Sequence, residues 1–293
     1  MYSRFHLDCD NESLESICED IDKEAIYNYH KVIDEYRKQV SNNIQSYILQ
    51  KDVIDATKMQ STWFFSIKFS KNTHVFLSHK HRDLEYAEKF AAWLYKYFGI
   101  ITFIDSFIWG SSYELQKILD NEFCLNTDSS YSYKKRNFST SHVHMMLANA
   151  LTMMIDQCEC FIWLDLNNDD SFQSQINLAV SGNESVTDSA WIYHEITTVQ
   201  MLQRRPMDKH RLIPGMTSSE EKKIAMDSDS KLPHIFYHPV TDKLKTLKYE
   251  DLIKWRDDLN NLRLNLYRDH PEVKATSALN YLYKLKNVTD TKI

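Results

Sequence analysis

Between residues 74 and 166 short runs of unbroken apolar sequence alternate with helical stripes, and this alternation constrains the fold more than any other feature. The runs are HVFLSH (74–79), IITFIDS (100–106) and CFIWLDL (160–166). Each is too short for a typical helix and lacks the polar alternation of a half-exposed strand, so each reads as a strand buried on both faces. Between the first two, Leu84, Ala87, Ala91, Leu94 and Phe98 fall on one helical face, with Asp83 placed to cap the start and Gly99 to end it. Before the third, Val143, Leu147, Ala150, Leu151 and Met154 form another stripe. Buried strands separated by helices pair in parallel. The expected fold is therefore α/β, a doubly wound, flavodoxin-like parallel sheet of about five strands. HRLIP (210–214) and HIFYHPV (234–240) are the expected fourth and fifth strands. A helix over 250–266, with Leu252, Trp255, Leu259, Leu262 and Leu266 on one side, closes the domain.

Outside this region the pattern differs. From about residue 12 to 58, Ile26, Ile33, Tyr36, Val40, Ile44 and Ile48 recur at helical spacings among charged residues. The chain is thus expected to divide into an N-terminal helical region (1–72), an α/β domain (73–268) and a C-terminal tail (269–293). The N-terminal stripe needs a cover, either the main domain or a second copy of the chain.

Composition narrows the functional classes. No apolar run in the 293 residues approaches the ~18–20 needed to cross a bilayer. The opening MYSRFHLDCDNESLESICED is polar and acidic where a signal peptide would be apolar. A net charge of -6 argues against nucleic-acid binding through phosphates. Five scattered cysteines lack disulfide or zinc spacing, which points to a reducing, cytoplasmic setting, with Cys158 and Cys160 as buried small hydrophobes. The twelve histidines include no H-E-x-x-H pattern, and no metal is expected.

Ligands of open parallel sheets bind beyond the carboxyl ends of the strands. Those ends hold Ser78 and His79, then Asp105 and Ser106, then Asp165 to Asp170. After the third strand a polar stretch leads to SAWIYHEITTVQ (189–200), a helix capped by Asp188 or Ser189 that carries Trp191 and, about two turns in, Glu195. By spacing alone, Ser78 and Asp105 fit helix caps or turns as well as a site, and Trp191 with Glu195 fits an ordinary i,i+4 pair as well as a catalytic one.

Taken in order, VFLSHKHRD, FIDSFIWG and SAWIYHE resemble the Toll/interleukin-1 receptor (TIR) domain, bacterial members in particular, over about 74–245. The resemblance implies that Glu195 of the W-x-x-x-E motif is the catalytic carboxylate of an NAD-cleaving enzyme. It also implies that 105–116, with Asp105, Ser106 and Trp109, is a loop lining the site, that Ser78 and His79 floor the nicotinamide ribose, and that Trp191 stands beside them. NAD would be the substrate and not a cofactor, so a glycine-rich fingerprint is not required. The similarity extends to TIR proteins of Thoeris-type anti-phage systems, which implies an ADP-ribose-derived signal sensed by a separate effector, and self-association through the TIR domain and N-terminal helices. Two departures stand out. The loop lacks an Arg-Asp-Pro-Gly run and keeps only Trp109-Gly110, and the segment 124–142 is long and basic at Lys134, Lys135 and Arg136. Those cations form either a solvated face or a contact to a pyrophosphate or an acidic neighbour. The alternatives to the NAD-cleaving reading are a non-enzymatic TIR scaffold and a nucleoside deoxyribosyltransferase-like N-glycosidase.

Overall fold

The computed structural model describes residues 1–37, 48–50, 53–63, 73–128, 130–166, 189–207, 240–261 and 271–288. Five parallel strands form the central sheet: β1 (Ser3–Cys9), β4 (Val75–His79), β5 (Thr102–Ile104), β6 (Cys160–Leu166) and β7 (Lys245–Leu247). Their order is β5-β4-β6-β1-β7. Two very short strands, β2 (Ile48–Gln50) and β3 (Val53–Ile54), pair antiparallel in a separate hairpin. The helices are α1 (Asn11–Ile17), α2 (Lys23–Arg37), α3 (Ala56–Trp63), α4 (Leu84–Phe98), α5 (Ser106–Leu119), α6 (Tyr133–Gln157), α7 (Ala190–Met201), α8 (Tyr249–Asn261) and α9 (Pro271–Leu285).

The helices cover both faces of the sheet, giving the doubly wound α/β architecture. On one face Phe5, Leu7, Val75, Leu77, Ile104, Ile162 and Leu164 pack under α1, α2, α4, α8 and α9. On the other, Phe76, Phe103, Phe161 and Trp163 pack under α3, α5, α6 and α7. The stripe on α4 is buried at Ala87, Ala91, Leu94 and Phe98, and the helix ends at Gly99 with φ 68°, a left-handed position that suits glycine. The α6 stripe is buried at all five expected positions.

The chain does not divide where the pattern suggested. The N-terminal region enters the sheet, with β1 lying between β6 and β7 and paired along its length with β6 from Ser3↔Cys160 to Cys9↔Leu166. The cause is a two-residue period: Phe5, Leu7 and Cys9 enter one core, and Arg4, His6 and Asp8 alternate with them. Residues 12–58 are not continuously helical either, since the β2–β3 hairpin interrupts them. The described part of their stripe is covered by the chain itself. Tyr29 and Ile33 of α2 are buried, α2 packs on α4, and the Tyr29 hydroxyl donates to the carbonyl of Thr102. The expected C-terminal tail is α9, whose Ala275, Ala278, Leu279, Leu282 and Tyr283 are buried, and the Ala278 carbonyl accepts from Trp255 Nε1 at 2.9 Å. The strands expected at 210–214 and 234–240 lie, but for Val240, outside the described residues. Among those residues, the two places beyond β6 belong to β1 and β7.

A sheet missing an internal strand exposes two unpaired edges. A chain begun at residue 73 is therefore expected to give no cooperative melt. The point variant Phe5→Ala should lose about 3–5 kcal/mol in denaturant unfolding. A stable, cooperatively folded 73–293 fragment would show that β1 is dispensable.

Candidate functional site

Among the described strands the order reverses direction after β5. From β4 the chain crosses to β5 on one side and then returns to β6 on the other, so the crevice between the carboxyl ends of β4 and β6 is the topological switch point. Ser78 and His79 end β4 there, and Asp165 lies near the end of β6. Above this crevice sits α7, its first turn held by Ser189, whose Oγ accepts from the Ile192 amide at 3.3 Å. Ile192, Ile196 and Val199 anchor α7 in the core. That docking turns Glu195 inward onto the sheet.

Glu195 is fully buried, and Ser78 Oγ donates to its Oε2 at 2.5 Å. Its Oε1 has no hydrogen-bond partner among the described residues. Burial first, and then the charge of Asp105, push the Glu195 carboxyl well above the usual glutamate range, against the opposing effect of the Ser78 hydrogen bond. Beside this pair His79 Nδ1 lies 3.1 Å from Asp105 Oδ1, both residues buried. The two atoms are close without forming a hydrogen bond. Ser78, His79, Asp105 and Glu195, taken from two strand ends and a helix, thus meet at one place.

The remaining predicted residues lie differently. Trp191 presents its ring edge-on to His144 of α6, at 5.9 Å and 89°, and to His194, at 6.5 Å and 83°. It therefore packs at the α6–α7 seam, where His194 Nε2 also meets Thr152 Oγ1 at 3.1 Å. Ser106 and Trp109 belong to α5, and their side chains lie outside the described residues. The expected site-lining loop over 105–116 is instead helical from Ser106 onward. The physical reason is the departure noted in the sequence: without the Pro-Gly pair, SFIWGSSYELQKIL contains no strong helix breaker beyond Gly110. In the basic segment Arg136 pairs with the buried Asp120 at 3.0 Å and lies over Tyr131, so one of its three cations has a structural partner.

Three residues near the switch point escaped the sequence reading. Trp163 is buried, with its Nε1 lacking a partner among the described residues. His6 and Lys80 each approach Asp165, at 3.2 Å. Trp163 was hidden inside an apolar run, and His6 in a segment read as outside the domain. Among the described residues no group of three or more His, Cys, Asp or Glu could hold a metal ion, and no helix is long and apolar enough to cross a membrane. Comparison with models of known families, with curated proteins and with solved structures finds no match.

A buried carboxyl with raised proton affinity is a stability liability with a definite pH signature. The native state keeps its proton where the unfolded chain has lost it, so this group's contribution is full below the ordinary value of 4.5 and is lost as pH rises through the folded-state pKa. Glu195→Gln keeps the shape and cannot ionise. Its melting temperature is expected to exceed the parent's at neutral pH, with the gap closing toward pH 4.5. A gap that does not change with pH would mean that Glu195 titrates like an exposed glutamate.

Proposed function

We propose that this chain is a TIR-like N-glycosidase that cleaves NAD between nicotinamide and ribose, with Glu195 as the catalytic carboxylate. The observation that carries the reading is the placement of Glu195. It is a fully buried acid at the switch point of a parallel sheet, held by Ser78 through one oxygen and without a partner for the other among the described residues. A scaffold has no use for such a group, since burying a carboxyl costs stability that a neutral side chain would not. The order of the three motif-bearing segments supports the TIR resemblance. The N-terminal strand within the sheet is the chain's own departure from the expected domain.

The chemistry follows from the charges. Nicotinamide leaves as a neutral ring, so no acid is needed to protonate it, and positive charge develops on the ribose. A carboxylate in a site shielded from water stabilises that charge far more than water does. In the unliganded site Glu195 favours its neutral form, but the cationic nicotinamide ribosyl group draws its pKa down, and the Ser78 hydrogen bond also favours the charged form. Substrate binding therefore expels the proton and creates the carboxylate. Ser78 fixes its orientation, and His79 and Asp105 form the polar floor beside it. The released ADP-ribosyl group goes to water or to another nucleophile. The resemblance favours a cytoplasmic role in anti-phage defence, in which the product is a signal for a separate effector. Completion of the site by self-association belongs to the same reading.

The high proton affinity of Glu195 also favours a second reading. A neutral glutamic acid can donate its proton to the leaving base of an uncharged nucleoside, as a deoxyribosyltransferase-like N-glycosidase requires.

The test is nicotinamide release from NAD by the full chain, compared with base release from deoxynucleosides. Glu195→Gln is expected to lower nicotinamide release by at least about 100-fold with the fold intact. For the parent, kcat/KM should rise with pH through the free enzyme's raised pKa. The corresponding limb of kcat should lie at lower pH, because the bound cation favours the carboxylate. Equal turnover by Glu195→Gln and parent would remove Glu195 from the chemistry. Base release without nicotinamide release would select the second reading.

A further inference from the structure

One register row crosses the carboxyl end of the sheet from Ser78, which holds the buried acid, to the N-terminal strand. Ser78 of β4 is in register with Trp163 of β6, and Trp163 with His6 of β1. Such partners in parallel strands face the same side, and the strand spacing of ~4.8 Å places the His6 backbone about 10 Å from that of Ser78. Trp163 forms the floor between them. The His6 ring lies flat on its indole, with centroids 4.4 Å apart and planes at 16°.

The far end of the row is built as a held imidazole. His6 Nε2 lies 3.2 Å from Asp165 Oδ2, and the other oxygen, Oδ1, accepts from Lys80 Nζ at 3.2 Å. Burial works against the charge on Asp165, but His6 and Lys80 outweigh it and hold the carboxyl below its usual range. An ionised Asp165 accepts from Nε2–H, which leaves Nδ1 as the basic nitrogen of the ring. The His6, Asp165 and Lys80 side chains remain 20%, 14% and 21% exposed, whereas Glu195 and Ser78 are fully closed. The row thus runs from the serine that holds a buried acid, across an aromatic floor, to a carboxylate-held base partly open to solvent.

We propose that His6, positioned by Asp165, is the general base for the nucleophile that captures the ribosyl group. The inference rests on the N-glycosidic cleavage proposed above and adds a second catalytic residue to it. In that step the C1′–N bond breaks and its electron pair leaves on neutral nicotinamide. The oxygen of a water molecule forms a bond to C1′ while its proton passes to His6 Nδ1. The resulting imidazolium faces Asp165 and returns the proton to solvent. The spacing of about 10 Å between the Ser78 and His6 backbones is comparable to the roughly 6.5–9.5 Å that leaves room for a sugar and a water between two catalytic groups.

The test uses the full chain, NAD, and sodium azide as a nucleophile with no proton to lose. His6→Gln is expected to melt cooperatively, to lose about 100-fold or more of its turnover in water, and to regain turnover in azide with a ribosyl azide as product. Azide should change the parent's rate little. Should His6→Gln fail to fold, Asp165→Asn carries the same comparison, because it keeps the imidazole and removes what holds it. Parent-like turnover by the variant overturns the inference, as does a slow variant that azide does not rescue, which would mark a structural role. A parent that releases no nicotinamide overturns the cleavage reading and the inference with it. Release by the parent together with failed rescue overturns the inference alone.

Discussion

The hydrogen bond from Ser78 to Glu195 is the interaction on which the site depends, because it ties a helix to the sheet where the order of the described strands reverses. Its cost is large. A carboxyl removed from water favours its neutral form, and the neighbouring charge of Asp105 increases that preference. What holds it in place is the docking of α7 through Ile192, Ile196 and Val199 against Phe76, Phe161 and Trp163. Apolar burial along the helix thus outweighs one expensive polar group, and the fold keeps an acid where an amide would be more stable.

The N-terminal strand changes how that site is assembled. Because β1 pairs with β6 along its length, it brings His6 and Asp8 to the carboxyl edge that β4 and β6 share. The polar network among His6, Asp165 and Lys80 therefore joins segments 159 and 85 residues apart. A cluster made of such distant pieces forms only when the whole sheet is closed, so the integrity of the site and the order of the sheet are coupled.

Much of this architecture was legible in the chain. Runs such as CFIWLDL announce buried parallel strands, and the spacing of Val143, Leu147, Ala150, Leu151 and Met154 announces the covering helix, because both signals come from full burial. The cap at Ser189 and the helix end at Gly99 were equally local. Ser78, Asp105 and Glu195 could be listed from strand ends and one helix start, but their meeting is a tertiary fact. The strand at 3–9 was missed because its signal is a two-residue alternation, Phe5, Leu7 and Cys9 against Arg4, His6 and Asp8, set in a segment polar on average. The helix over Ser106–Leu119 runs where the family resemblance implies a loop, and its signal in the sequence is only the lack of a strong helix breaker beyond Gly110. The hairpin after α2 had only a few residues to declare itself.

If the account is right, Glu195 of the unliganded protein is a protonated acid buried against Ser78. Its carboxyl carbon can be followed by carbon-13 nuclear magnetic resonance in the full-length chain, with the signal assigned by its loss in Glu195→Gln. The account predicts a midpoint well above that of the exposed glutamates in the same spectra, and a shift to lower pH when Asp105→Asn removes the neighbouring charge. A Glu195 carbon that titrates together with the exposed glutamates, and does not respond to Asp105→Asn, would contradict it.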